Sequence, residues 1–106
     1  MEVVEIDPKQ YKSLREQMGL KIVWLYASWC GPCRHFHSTF ETVAIEFANE
    51  VQFLKYNVDQ GPVEGPKLQG IPTVRFFSDG VQVDELVGVQ EKGTFMNVIK
   101  KHKKQG

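Results

Sequence analysis

The chain has 106 residues, 42% of them apolar and 25% charged, with thirteen basic side chains balanced by thirteen acidic ones. That length supports one ordinary hydrophobic core, and residues 1–106 read as a single domain. Zero net charge gives no global attraction to nucleic acid or to an anionic membrane, and the longest apolar run, Ile22–Ala27, is too short to span a bilayer.

Val3–Ile6 reads as a short strand. Asp7 follows as a helix N-cap, with Pro8 at the first helical position and Gln10 closing a capping box. Tyr11, Leu14 and Met18 share one face of the helix so begun, and Gly19 is placed to end it in the left-handed conformation. Ile22–Ala27 is uninterrupted apolar sequence, the pattern of a strand covered on both faces. From Cys33 to Asn49 the apolar positions Phe36, Phe40, Val43, Ala44 and Phe47 recur at helical spacing. Val51–Val58 is a strand of mixed polarity. The Gly- and Pro-rich stretch Asp59–Gly70 has room for at most a short helix.

Thr73–Phe77 and Val81–Val87 are strands joined by the hairpin signal Ser78-Asp79-Gly80. Phe95, Val98, Ile99 and His102 predict a terminal amphipathic helix. Its Lys100, Lys101, Lys103 and Lys104 are a solvated helix end favoured by the macrodipole, not a nucleic-acid surface. The order β-α-β-α-β followed by β-β-α predicts an α/β fold: a central mixed β-sheet flanked by helices on both faces. Two-sided burial makes Ile22–Ala27 a central strand, so a site is expected beyond its C-terminal end. Cys30 lies there. The opening MEVVEIDPKQ lacks the basic-then-apolar pattern of a secretory leader, and the chain is expected to be cytoplasmic.

The chain has two cysteines, Cys30 and Cys33. As a staple they would close a four-residue loop worth about 2 kcal/mol, against roughly 4 kcal/mol for a loop of some sixty residues. As zinc ligands they are half a site: His35 points away from the face that Cys33 shares with His37, and a fourth ligand would have to come from His102 or another chain. Arg34 stands where haem attachment requires histidine. Reversible redox chemistry fits best. A thiolate at a helix N-terminus meets unpaired N–H groups and the positive end of the macrodipole, and Arg34 adds a positive charge. Cβ atoms three apart on a regular helix are about 5–6 Å from each other, whereas a disulfide wants roughly 3.8 Å. Cys30 is therefore expected just outside the helix, with Gly31 permitting the bend and Pro32 fixing the helix entry.

Trp29-Cys30-Gly31-Pro32-Cys33, preceded by Ala27-Ser28, resembles the active-site motif of the thioredoxin family. Lys55-Tyr56-Asn57-Val58-Asp59 resembles that family's next strand, Gly70-Ile71-Pro72-Thr73 its cis-proline segment, and Phe76-Phe77 with Gly80, then Val87-Gly88, its closing hairpin. The similarity runs in order along essentially the whole chain. It implies a thioredoxin fold and a protein-disulfide reductase, with Cys30 the exposed nucleophile and Cys33 the more buried resolving thiol. Trp29, Gly31, Pro32, Arg34, Lys55 and Pro72 would support the site. Trp29, Gly31, Ile71, Pro72, Val87 and Gly88 would form the substrate surface. The resemblance further implies a monomer with no bound cofactor, reduced by a thioredoxin reductase drawing on NADPH and acting on disulfide-containing proteins. Alternatives are a thiol oxidant or isomerase, and a binding subunit of the same fold whose dithiol is idle.

Three positions depart from the family pattern. Trp24 stands where the family has a buried acid near the resolving cysteine, and an indole N–H can only donate. Cys33 is then expected to lose its proton through water or another group, and Lys55 to lack its usual partner. Ser38 replaces a helix-kinking proline, and Asp59–Gly70 is short for the helix the family carries there.

Overall fold

Leu20–Tyr26 (β2) is the middle strand of the computed structural model, which describes residues 3–103 and so leaves Lys104 of the basic tail outside. It pairs in parallel with Gln52–Asn57 (β3) and antiparallel with Thr73–Ser78 (β4). Val3–Glu5 (β1) adds in parallel to β3, and Val81–Val87 (β5) adds antiparallel to β4. The spatial order is therefore β1-β3-β2-β4-β5, a mixed sheet with its first-half strands parallel and its hairpin antiparallel.

Alternation along β2 divides the core. Ile22 and Trp24 face a layer built by Gly31–Glu46 (α2) and Lys92–Lys103 (α3), where Phe36, Phe40, Phe53, Phe76 and Phe95 pack together. Val23 and Leu25 face the opposite side, covered by Tyr11 of Pro8–Ser13 (α1) and by Leu14. Two-sided burial follows from a run with no polar residue: either face of Ile22–Leu25 exposed would leave large apolar area in water.

The helix after β1 starts as the sequence specifies. Asp7 Oδ1 accepts the Gln10 N–H at 2.8 Å, and Gln10 Oε1 accepts the Asp7 N–H at 2.9 Å. Its end differs from the expectation. The chain tightens into a 3-10 turn over Leu14–Glu16, Gln17 is extended, and Met18 is 74% exposed instead of lying on the buried face. Gly19 does not cap this helix. Its φ of +90° serves a turn whose N–H donates to Asp79 Oδ1 at 2.7 Å and whose carbonyl accepts the Asp79 N–H at 3.0 Å. Docking on the β4–β5 hairpin thus pulls residues 17–19 off the helix path.

The helix that carries Cys33 runs unbroken for 16 residues through Ser38. Residues 58–60 form one 3-10 turn, and the stretch from Gly61 to Gly70 contains no helix. Side chains of the sheet hold that stretch: the Tyr56 hydroxyl donates to Pro62 O at 2.9 Å, and Val63 and Leu68 pack on the core beside Tyr11 and Leu14. Arg75, fully buried on β4, donates to the carbonyls of Glu64 and Pro66 at 2.9 and 2.7 Å, to Tyr11 Oη at 3.0 Å and to Glu85 Oε2 at 2.9 Å.

Candidate active site

β2 ends at Tyr26, and Ala27-Ser28-Trp29 turns the chain so that Cys30 becomes the N-cap of α2, with extended backbone at φ −86° and ψ 112°. Gly31 and Pro32 are the first two helical residues. Gly31 is not needed for the bend. It does not take positive φ, and a Cβ there would meet open space, so the turn is made by Cys30 itself.

Cys30 and Cys33 are joined as a disulfide with Cα atoms 5.3 Å apart. The Cys33 N–H donates to Cys30 Sγ at 3.1 Å, a helix-terminal donor aimed at the sulfur. The expected contrast in exposure is nearly absent: Cys30 is 4% and Cys33 2% exposed. Cys30 is covered by the segment around Pro72, with Ile71 O 3.8 Å from its Sγ. The Ile71–Pro72 bond is cis, as the resemblance implied. Pro72 O accepts the Gly88 N–H at 2.8 Å, which brings Val87 and Gly88 to the same end of the sheet as Ile71 and the cysteines.

Trp29 is 66% exposed, yet its ring is fixed, since Nε1–H donates to Asp59 Oδ2 at 2.8 Å. With Val87 and Val89, also exposed, it adds apolar surface to this end. Arg34 turns back to donate to Ser28 O at 3.4 Å. Among the described residues no group of three or more His, Cys, Asp or Glu side chains could hold a metal, and no helix is long and apolar enough to cross a membrane.

Behind Cys33 the structure answers the question raised by Trp24. Glu5, Lys55 and Trp24 are register partners across β1, β3 and β2, so they form one row on the α2 side of the sheet. Lys55 is not left without a partner. Its Nζ lies 3.8 Å from Glu5 Oε1 and 5.7 Å above the Tyr26 ring. The Tyr26 hydroxyl donates to the same carboxylate, with oxygens at 2.7 and 2.9 Å, and burial followed by that carboxylate pushes its pKa strongly upward. Lys55 on β3 therefore pairs outward, to β1, and not toward Trp24 on β2. Trp24 packs among Tyr26, Phe36, His37 and Phe40, while its buried Nε1 has no hydrogen-bond partner among the described residues. A cavity of about 260 Å³ opens beside Cys33, bounded by Trp24, Tyr26, Ser28, Arg34, His37 and Lys55.

Sequence reasoning does not bring Glu5 or Asp59 to the site, because each lies 21 or 30 residues from its partner. The available signal for Glu5 was strand pairing: placing β1 beside β3 aligns Glu5 with Lys55.

The sequence model of the thioredoxin family matches residues 2–101. Thioredoxins of Staphylococcus aureus strains Mu50, MW2 and N315 are each 33% identical to the chain over 104 residues, covering 96% of it and 99% of the relative.

Proposed function

This chain belongs to the thioredoxin family and is a thiol–disulfide oxidoreductase that reduces protein disulfides, and we propose that Cys30 is its attacking thiol and Cys33 its resolving thiol. The observation that carries the assignment is the Cys33 N–H directed at Cys30 Sγ from the first turn of a 16-residue helix. That donor and the helix dipole favour negative charge on Cys30, so Cys30 is the sulfur poised as thiolate. Cys33, inside the helix and facing the sheet, has no such donor and waits as a thiol for the mixed disulfide.

In this reading Trp29, Gly31, Ile71, Pro72, Val87 and Gly88 receive an extended substrate segment, with Pro32 and Arg34 shaping the helix entry and Lys55 the floor behind it. The chain works as a single domain and a monomer in the cytoplasm. It binds no cofactor of its own and takes electrons from NADPH through a thioredoxin reductase.

The test is the reduction potential of the Cys30–Cys33 pair, set by defined thiol buffers and read by alkylation and mass. The expected value is near the roughly −270 mV of thioredoxins. A value closer to about −200 mV overturns the reductant reading in favour of an oxidant or glutathione-linked role. Full function retained by the Cys30→Ala, Cys33→Ala double variant would mean a binding subunit.

A further inference from the structure

Each cycle requires Cys33 to lose a proton before its sulfur attacks Cys30, and position 24 offers only an indole that donates. We infer that His37 takes that proton, through water in the cavity that both side chains line. This rests on the reading of Cys33 as the resolving thiol. His37 lies four residues after Cys33 in α2, one turn along, so both side chains reach the cavity from the same helix face. Its ring packs beside Trp24 with centroids 5.8 Å apart. Its Nε2 lies 3.5 Å from Glu41 Oε2, one turn further on. With Nε2 turned to that carboxylate, Nδ1 is the nitrogen that accepts the proton from water.

The remaining groups around the ring do not compete. Arg34 on the same helix and Lys55 on β3 are cations, and Ser28 is too weak a base. Tyr26 on β2 commits its hydroxyl proton to Glu5 on β1, whose carboxylate also faces Lys55. Histidine is the side chain whose proton exchanges near neutrality, and the cavity is wide enough for a bridging water.

In the reducing direction Cys30 thiolate attacks a substrate disulfide, forms the mixed disulfide and releases one substrate thiolate. Water then passes the Cys33 proton to His37. The Cys33 thiolate attacks Cys30 Sγ, forming the Cys30–Cys33 bond and breaking the bond to substrate sulfur, whose electron pair leaves as a second thiolate. The dithiol loses two electrons and the substrate disulfide gains them; the released thiolates take protons from solvent.

The reduced full-length protein is mixed with excess dithiobis-nitrobenzoate, and the coloured thiolate is followed by stopped flow. The first phase reports attack by Cys30 and the second reports resolution by Cys33. His37→Gln is expected to leave the first phase unchanged and slow the second about tenfold near neutral pH, removing a titration step from its pH profile. Imidazole added to His37→Ala restores the second phase. An unchanged second phase in His37→Gln, equal slowing of both phases, or no rescue by imidazole overturns the role of His37. Cys33→Ser keeps the first phase and loses the second; a second phase that survives in it overturns the assignment of Cys33 instead.

Discussion

At position 24 a buried indole finds no acceptor for its N–H among the described residues while supplying four aromatic contacts to the layer beneath α2. The two effects oppose each other. Trp24→Phe removes a donor whose desolvation costs about 1–3 kcal/mol and gives up part of the buried ring, so stability is expected to change by less than about 1 kcal/mol. Trp24→Ala removes the whole ring and is expected to cost about 3–5 kcal/mol, both read from urea midpoints of the oxidised chain. Trp24→Asp puts a carboxylate in register with Lys55, within the lining of the Cys33 cavity. Resolution of the mixed disulfide is expected to quicken several-fold near neutral pH, since a base then stands beside the cavity. An unchanged resolution rate would show that position 24 does not limit proton transfer.

Among the elements, the β4–β5 hairpin carries more than its own two strands. Asp79 and Gly80 both take positive φ, +49° and +88°, the geometry of a two-residue turn that matches strand twist. The turn also packs against the 3-10 segment after α1, where a Cβ on Gly80 would collide with the Arg15 carbonyl. Gly80→Ala therefore combines strained backbone with a backbone clash and is expected to cost about 2 kcal/mol or more. Gly31→Ala meets neither obstacle and is expected to stay within about 0.5 kcal/mol of the parent in the same urea titration. The hairpin was legible from Ser78-Asp79-Gly80, and the α1 start from Asp7, Pro8 and Gln10, because turn and cap chemistry are local. The helix end was not, because what stops it is Asp79, 60 residues away.

Over the whole molecule, two polar links join elements that the apolar core also packs together. Arg75 ties β4, β5, α1 and the 61–70 stretch together, and it is fully buried. Arg75→Met would strand the Glu85 carboxylate, the Tyr11 hydroxyl and two carbonyls, at an expected cost of about 3–5 kcal/mol. Faster amide exchange over residues near 61–70 would accompany it, and equal exchange would show the stretch is held otherwise. The second link joins α3 to β5, where His102 Nε2 lies 3.0 Å from Asp84 Oδ2. Burial raises the Asp84 pKa, but the hydrogen bonds from His102 and the Glu85 N–H, with the nearby charges of His102 and Lys101, outweigh it and lower the value below 3.8. A lowered native value means the carboxylate stabilises the fold above the ordinary carboxylate range and loses that contribution as pH falls below about 4. Asp84→Asn is expected to cost about 1 kcal/mol at neutral pH, with the deficit shrinking as pH falls through the native titration. A deficit constant with pH would exclude the charge as its cause.

The sequence by itself determined the strand and helix order, the central place of Ile22–Ala27 and the Cys30–Cys33 pair beyond its end, since periodicity, caps and motif spacing are written in neighbouring residues. Only the tertiary structure decided what surrounds that pair. Lys55 pairs with Glu5 because parallel pairing sets the two strands side by side in register, and Trp29 is pinned by Asp59 from 30 residues away. The near-equal burial of the two cysteines belongs to the same class, for the cover over Cys30 is supplied by Ile71 and Pro72 from the far side of the fold. Local pattern sets which face of an element is apolar; which polar side chain ends up beside which is fixed only when the sheet is assembled.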